Sequence, residues 1–199
     1  MLGRNHLIAN SCSFVLLSSG AVALTKYTGI FSKPIHTMID TTLNFFNTPQ
    51  GNIPQIVWYV SGLLLFLLGT LLPDIDSETS ILGRFIHIPI GHRTWTHTIW
   101  IPIMLFGLSI WYHIIIWLCL GYFLHLFWDS LSYGGICFLY PISKYRTYGS
   151  GAKVKQKHIF KFYRTGKTSE YVLIGVIVTS TIMVIILDVI YFGILPGRS

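Results

Sequence analysis

The chain has 199 residues, of which 52% are hydrophobic and only 11% are charged. Soluble domains carry about a quarter charged residues, so this composition excludes an ordinary soluble globular domain and is typical of an integral membrane protein. The length suits a single integral membrane domain over residues 1–199, because a few spans of about twenty residues use most of it. Three cysteines without CxxC spacing give no support to a disulfide framework or a thiolate metal site.

Long hydrophobic segments predict the membrane spans. The first is rich in serine and alanine, which suits a helix packed closely against others. The second lies between Pro54, which opens the helix, and Pro73, which stops it. The third is too long for one span, and we divide it near Trp111 into two tightly connected helices. The fold class is therefore all-α, a polytopic transmembrane helix bundle with about five spans, over residues 7–25, 54–72, 97–131 (two helices) and 171–195.

The connection after the first span has a pattern of its own. After Pro34, apolar residues recur at helical spacing from Ile35 to Phe46, which predicts a short amphipathic helix at the membrane interface. A surface helix packed on the bundle explains the pattern equally well. Both interpretations leave this segment outside the spans.

The whole chain has a formal net charge of +7, and its positive charge is concentrated in one segment. Eight of the 14 lysines and arginines fall between Lys144 and Lys167. A basic loop of this kind usually lies in the cytoplasm, so we place residues 132–170 there, which also puts the N-terminus of this multi-pass chain in the cytoplasm. The loop can attract anionic headgroups, so membrane lipid is an expected partner. Nucleic acid is not expected, because no nucleic-acid-binding motif accompanies the charge.

Ionisable residues are grouped where the hydrophobic segments end, and in this orientation every group falls on the cytoplasmic side. Histidines and carboxylates are the residue types that bind metals, so together they predict a metal site at the membrane surface. His6 and Glu170 are single residues, included because each opens a span there, although Glu170 is otherwise an ordinary first-turn charge. The candidate metal ligands are His6, Asp74, Asp76, His92, His97, His125, Asp129 and Glu170.

Two of these groups have informative spacing. His125 and Asp129 are four apart, which in a helix places both side chains on one face within reach of one ion. A His–Asp hydrogen bond without metal is the alternative. Asp74 and Asp76 repel each other unless a cation or an arginine separates them. An acidic turn in which Asp76 or Ser77 caps the next short helix is the alternative there.

The densest group combines histidines with an arginine. His92 and His97 are five apart, so both reach one site only if His92 lies in the loop ahead of the helix. Arg93 can bind a substrate phosphate with two donors. Arg84 can do the same, although an interfacial lipid anchor is the simpler role for it.

Four motifs follow one another along the chain. They are the N-terminal His6, LLPDIDSETSILGR at residues 71–84, GHRTWTH at 91–97, and GYFLHLFWDSLSYGG at 121–135 followed by a proline-containing turn. The basic segment leading to Glu170 continues the series. In their order and spacing these segments resemble the YdjM-like family of bacterial membrane-bound proteins, which are classed as metal-dependent hydrolases.

The resemblance implies a location in the cell inner (cytoplasmic) membrane and a shared polar set at the positions named above as candidate ligands. The chain also departs from the family pattern. Family members often have His-Pro where this chain has Ser77-Glu78, and Thr-Pro where it has Ser132-Tyr133. These positions flank the ligands, so the departures concern substrate fit more than metal binding. The HxxxD helix also resembles a motif of zinc-dependent phospholipases C and related nucleases.

We favour a metal-dependent hydrolase acting at the cytoplasmic membrane surface on a phosphoester or another lipid-like anionic substrate. So many nitrogen and oxygen donors suit one or two divalent ions, and they fit Zn, Mn or Fe better than Ca. Such ions lower the pKa of a water molecule, while Arg93 and Arg84 would stabilise charge developing on a phosphoryl or acyl oxygen. No GxSxG motif competes with this interpretation.

Two other interpretations remain open. A non-enzymatic membrane protein, either an ion carrier or a regulatory or scaffold factor, would use the same residues for a structural metal. Polar residues that continued across the membrane to His113 or Asp188 would favour transport. Alternatively, hydrogen bonds between the polar groups tie the bundle together, but Asp74 and Asp76 then have no countercharge other than nearby arginines. The sequence leaves the oligomeric state unknown.

Overall fold

The structure is a computed structural model of the chain, and it confirms the predicted all-α class. Apart from two paired segments of two residues each, the regular elements are helices in the part that it describes. The predicted interfacial helix after Pro34 lies outside that part. The described residues are 3–27, 54–78, 80–86, 95–133, 135–142, 147–148, 153–154 and 162–188.

The described elements form a helical bundle in which α2 packs mainly on α4, α1 on α5 and α3 on α4. The helices are α1 (Gly3–Tyr27), α2 (Gln55–Leu71), α3 (Trp100–Ser109), α4 (Ile115–Ser130) and α5 (Thr168–Asp188). Two 3₁₀ turns accompany them, Leu72–Asp76 after α2 and Trp95–His97 before α3. Two short strands, β1 (Thr147–Tyr148) and β2 (Lys153–Val154), pair antiparallel.

The predicted division of residues 97–131 into two helices is confirmed. Helix α3 ends at Ser109 and α4 begins at Ile115, with Trp111 in the turn between them. Their 10 and 16 residues give lengths of about 15 and 24 Å. Both lengths fall short of the hydrocarbon core of a bilayer, which is about 30 Å thick.

Two described helices are long and apolar enough to cross a membrane, over Ile56–Asp76 and Thr168–Leu187. The first of these ranges continues α2 through the 3₁₀ turn that follows it, and the second lies in α5. Helix α1 has 25 residues, but it carries the polar side chains Asn5, His6 and Asn10, which are buried against other helices. Length and composition therefore support two spans among the five helices.

Helices α2 and α4 approach each other through two glycines. A Cβ atom on Gly69 would lie 2.2 Å from the carbonyl oxygen of Leu118, and one on Gly121 would lie 2.2 Å from that of Phe66. No real contact is that short, so only residues without a Cβ allow the two backbones to come this close. The site described below spans both helices and depends on this approach.

Helix α1 joins the two halves of the bundle. Its Asn10 donates a hydrogen bond from Nδ2 to Thr70 Oγ1 on α2 at 3.2 Å. The preceding residue, Ala9, packs in a buried cluster with Trp128 of α4 and Ile177 of α5. The start of α1 therefore lies at the junction of the other helices.

The chain between α4 and α5 returns to the end of α4. The Phe162 N–H donates to the Leu131 carbonyl at 3.0 Å, and the Tyr133 N–H donates to the Tyr163 carbonyl at 2.8 Å. The Tyr163 hydroxyl also donates to the Trp128 carbonyl at 2.7 Å. These bonds place the start of α5 beside the end of α4.

Candidate metal centre

Proline ends helix α2 and changes the direction of the residues that follow. Pro73 has no amide hydrogen to continue the α-helical pattern, and the chain passes into the 3₁₀ turn Leu72–Asp76. Three residues complete one turn of a 3₁₀ helix, so residues two apart point in different directions. The buried carboxylates of Asp74 and Asp76 accordingly reach different partners.

The second 3₁₀ turn, Trp95–His97, lies against the first and supplies His97. Thr98 Oγ1 donates to the Trp95 carbonyl at 3.0 Å, which closes the turn. The Tyr122 hydroxyl of α4 donates to the Thr96 carbonyl, which fastens the turn to that helix. These bonds hold the His97 ring fully buried in the bundle.

His125 and Asp129 lie on one face of α4, as their spacing predicts. His125 Nε2 and Asp129 Oδ2 are 3.8 Å apart, and both residues are buried. The helix ends directly after them, because Ser132 donates from its N–H and its Oγ to the Asp129 carbonyl at 3.1 and 2.8 Å. The pair therefore sits in the last turns of the helix.

Four side chains converge from these three elements. Asp74, His97, His125 and Asp129 each offer one donor atom, and the four atoms lie within 4.8 Å of one another. His97 Nε2 is 3.3 Å from Asp129 Oδ2 and 3.6 Å from Asp74 Oδ1, and His125 Nε2 is 3.6 Å from the same Asp74 oxygen. A tetrahedral ion with bonds of about 2.0–2.2 Å holds its ligand atoms about 3.3–3.6 Å apart. Three of the six separations lie in this range and all lie within 4.8 Å, so the group could hold one divalent ion.

The burial of this group supports the same conclusion. Asp74 is 8% exposed, and the other three residues are at most 1% exposed. Buried carboxylates are costly unless a cation or hydrogen bonds compensate them. Among the described residues, His125 Nε2 finds no hydrogen-bond partner, although it is directed at two carboxylate oxygens. A cation at the centre of the group would satisfy that nitrogen and both carboxylates.

A backbone carbonyl fixes the tautomer of His125. Its Nδ1 lies 2.7 Å from the carbonyl oxygen of Thr70 on α2. Since a carbonyl oxygen can only accept, Nδ1 carries a proton and donates it. In the neutral ring Nε2 then presents its lone pair to the other donors. Metal-binding histidines are commonly oriented by a bond of this kind.

A hydroxyl and a carboxylate orient His97 in the same way. Thr96 Oγ1 donates to Asp76 Oδ2 at 2.6 Å and lies 3.0 Å from His97 Nδ1. Because the hydroxyl proton is committed to Asp76, its oxygen accepts from His97 Nδ1. Asp76 therefore acts on His97 through Thr96, with its own Oδ2 3.8 Å from Nδ1. Asp76 is not one of the four mutually close donors, and its contact with Thr96 leaves His97 Nε2 facing the group.

The two carboxylates also determine the charge of His97, which lies in the turn outside the helices. Burial lowers the pKa of His97, but the hydrogen bonds and charges of Asp129 and Asp74 outweigh it and raise the pKa to about 9. Without an ion, the two carboxylates thus favour the protonated form of His97, whose charge partly compensates theirs. A divalent ion in the group takes the place of that proton.

His6 lies at the edge of the group. Its ring stacks on the His125 ring with the centroids 3.8 Å apart, and its Nε2 is 3.2 Å from Asp129 Oδ1. Asp129 thus faces His97 with one oxygen and His6 with the other. His6 is fully buried, but it is not one of the four mutually close donors.

Glu170 is fully buried at the start of α5 and bonds to other residues. Its Oε1 accepts from Asn5 Nδ2 at 2.9 Å, and its Oε2 accepts from the Gly166 N–H at 2.5 Å. Gly166 has φ 72, which favours glycine. The bond between Asn5 and Glu170 ties the start of α1, and with it His6, to the start of α5. The four mutually close donors do not include Glu170.

The other predicted site residues lie further away or outside the description. His92 and Arg93 lie outside the described residues. Arg84 is exposed at the end of a turn that follows Asp74. Sequence reasoning missed Thr70 and Thr96, which orient His125 and His97. Thr96 adjoins His97 in the sequence, but nothing in the sequence indicates that the carbonyl of Thr70 meets His125.

Replacing Thr96 with valine should weaken divalent-metal binding by about 10–100-fold, the usual effect of losing a group that orients a ligand histidine. Valine has the shape of threonine but cannot accept from His97 Nδ1 or donate to Asp76. Metal affinity is measured by competition with a chromophoric chelator. Thr96→Ser keeps the hydroxyl and should stay close to wild type. Equal affinities for the valine and serine variants would contradict this role.

Replacing Glu170 with glutamine should lower stability without removing metal. The side-chain amide of glutamine has only one acceptor oxygen, so its NH₂ group would face either Asn5 Nδ2 or the Gly166 N–H, both of which donate. The buried donor left without an acceptor should lower the free energy of unfolding by about 1–3 kcal/mol. Thermal unfolding and metal content are measured on the same preparation. Loss of metal from a Glu170→Gln protein that unfolds like the wild type would instead make Glu170 a ligand.

The fold and the site define a class: a helical membrane protein with a buried histidine–aspartate group where its helices meet. The chain belongs to the YdjM inner membrane protein family, which matches residues 36–192 of its 199 residues. The match includes the four converging donors, whereas Asn5 and His6 precede it. No curated protein and no solved structure matches the chain.

Proposed function

We propose that this chain is a membrane-bound, metal-dependent hydrolase. The observation that carries the proposal is the convergence of Asp74, His97, His125 and Asp129, whose donor atoms lie within 4.8 Å of one another. Two nitrogen and two oxygen donors suit Zn, Mn or Fe. A divalent ion held there supplies a Lewis acid and lowers the pKa of a water molecule toward neutrality.

The protein residues hold the ion, orient its ligands and exclude water. The carboxylates of Asp74 and Asp129 supply negative charge, while His97 and His125 supply nitrogens oriented by bonds at Nδ1. Among the four donors, Asp74 is the most exposed, so we propose that substrate approaches from the turn that carries it. Packing on the other sides keeps bulk water out and strengthens electrostatic interactions in the site.

Hydrogen bonds link an exposed arginine to the turn that carries Asp74. Ser80 Oγ donates to the Asp74 carbonyl at 2.7 Å and accepts from the Gly83 N–H at 2.8 Å. The next residue, Arg84, donates its N–H to the Ser80 carbonyl at 3.3 Å and is exposed. A guanidinium can bind two phosphate oxygens at once. We therefore propose that Arg84 and Arg93 bind and stabilise the negative charge of an anionic phosphoester or lipid-like substrate.

The distribution of charge supports the orientation. The basic segment between Lys144 and Lys167 directly precedes α5, and α5 begins at the site end, where Asn5 bonds to Glu170. Basic segments next to spans are usually cytoplasmic. The site and the N-terminus of this multi-pass chain are therefore cytoplasmic in this proposal, with lipid and anionic phosphoester as partners and no nucleic acid.

One observation favours a second candidate, a non-enzymatic protein with a structural metal. Structural zinc sites are closed by four protein ligands, whereas catalytic sites keep a position open for water. Four protein donors converge here, and three of them are almost fully buried. The hydrolase needs a fifth coordination position or the release of one carboxylate. Turnover by the metal-loaded protein distinguishes the two candidates.

The test is hydrolysis by the full chain reconstituted in lipid and loaded with Zn, Mn or Fe in turn. The substrates are p-nitrophenyl phosphate, bis(p-nitrophenyl) phosphate and a fluorescent phosphatidic acid. We expect metal-dependent turnover that Asp129→Asn abolishes. Arg84→Ala should raise KM, with Arg84→Lys intermediate because lysine keeps the charge but loses the two-pronged contact. Metal-loaded, folded protein without turnover on any substrate would favour the structural-metal candidate.

A further inference from the structure

An apolar groove lies between the short helices α3 and α4, on the outside of the bundle. It has a volume of about 320 Å³, within the range of small-molecule sites. Its walls are apolar side chains and one thiol, and the metal ligands do not line it. The lining includes Ile99 directly before α3, Pro102, Ile103 and Phe106 from α3, and Cys119 and Phe123 from α4.

The direction of the groove follows from the antiparallel hairpin. Ile99 and Phe123 lie two residues from His97 and His125, so that end of the groove is level with the metal centre. From Ile99 to Phe106, α3 advances seven residues, or about 10 Å, away from that level. The groove therefore runs from the site end toward the turn of the hairpin.

Aromatic residues mark the level at which the groove begins. Trp95 and Trp100 are both exposed, and both contact Tyr140. The Trp95 and Tyr140 rings meet edge to face with the centroids 4.9 Å apart, and Trp100 Nε1 donates to the Tyr140 carbonyl at 3.0 Å. Exposed tryptophans of this kind are typical of the membrane–water interface. With the tryptophans at that interface, the groove would extend from it into the hydrocarbon layer.

We propose that this groove binds one acyl chain of a membrane lipid, with the headgroup at the site end. At that depth the surrounding medium is acyl chains, and a wall without polar groups matches them. Moving a chain from bilayer to groove gains little hydrophobic energy, because both are apolar. The preference comes from dispersion contacts with the walls on both sides, which mobile chains at a convex surface do not make. The inference is independent of whether the metal centre hydrolyses the lipid.

The test uses the full chain in nanodiscs that contain phosphatidylglycerol with a photoactivatable diazirine near the end of one chain. After irradiation, labelling of residues 99–123 is compared with labelling of Met183, an exposed residue of α5. The groove should be labelled at least about threefold more than this reference, which corresponds to a preference of about 0.7 kcal/mol.

Two tryptophan variants on α3 provide the matched comparison. Ile103 lines the groove and is 53% exposed, whereas the adjacent Met104 is 73% exposed and lies outside the lining. Ile103→Trp should reduce groove labelling to the level of the reference, and Met104→Trp should leave it unchanged. Metal content verifies that both variants fold. Asp129→Asn should keep the labelling, because the groove does not depend on the ion.

Three results would overturn the proposal. Labelling that is equal in the groove and at Met183 would mean that only bulk lipid surrounds the protein. Equal loss in both tryptophan variants would mean that the groove is not the site. Groove labelling below the level at Met183, together with a dimer in size-exclusion chromatography, would mean that a second copy covers the groove.

Discussion

Replacing His125 with alanine should remove high-affinity divalent-metal binding from the protein. Four-ligand zinc sites bind with about 10–16 kcal/mol at neutral pH, which is about 3 kcal/mol per ligand and corresponds to more than about 100-fold in affinity. Asp129→Asn should have a similar effect, because it replaces a carboxylate of nearly the same shape with a neutral amide. Metal per protein is measured after dialysis against a weak chelator.

The control for this experiment lies on the same hairpin. His113 is in the turn between α3 and α4, at the end of the hairpin remote from the site. His113→Ala should retain the wild-type metal content. Size-exclusion profiles and melting temperatures show whether each variant is folded. A folded His125→Ala protein that binds metal as tightly as His113→Ala would contradict the assignment of His125 as a ligand.

Replacing Gly121 with alanine should strongly destabilise the α2–α4 contact. Its Cβ would lie 2.2 Å from the Phe66 carbonyl oxygen, so the helices must separate. Overpacking of this kind costs about 1–3 kcal/mol or more, and 1 kcal/mol lowers the melting temperature of a chain of this size by about 2–4 °C. Separation would also move His125 away from Thr70 and weaken metal binding.

A second glycine gives the matched control for this prediction. Gly107 lies in α3, and nothing is within 4 Å of a Cβ placed on it. Alanine there should be neutral or stabilise the helix by up to about 1 kcal/mol, because glycine loses more backbone entropy on folding. Melting curves of the two variants are compared in the same detergent. Coincident curves would show that the close approach of α2 and α4 contributes nothing.

Much of the fold and the location of the site could be predicted from the sequence. Hydropathy gives the helical segments, and the aromatic residues near Trp111 indicate where the hairpin turns. The four-residue spacing of His125 and Asp129 places them on one face of α4, and the structure confirms it. Once the hairpin is assigned, the described polar groups are expected at one end of the bundle, where they meet.

The selection among the candidate ligands could not be predicted, because it depends on tertiary packing. Asp74 and Asp76 look equivalent in the sequence, but the 3₁₀ turn directs one to the histidines and the other to Thr96. Asp74 closes one predicted span and Glu170 opens another, so the two look alike in the sequence. Asp74 nevertheless lies among the histidines, whereas Glu170 bonds to Asn5. Hydropathy also could not predict that α3 and α4 are too short to cross a membrane. Apolar residues have the same composition in a full span and in a shorter helix.

The most direct test of the central claim is metal analysis of the wild-type protein, purified in detergent without chelator, followed by X-ray absorption at the edge of the metal found. The convergence of four donors predicts about one equivalent of Zn, Mn or Fe with nitrogen and oxygen neighbours at about 2.0–2.2 Å. A folded protein that carries no metal and takes up none of these ions when they are supplied would contradict the claim.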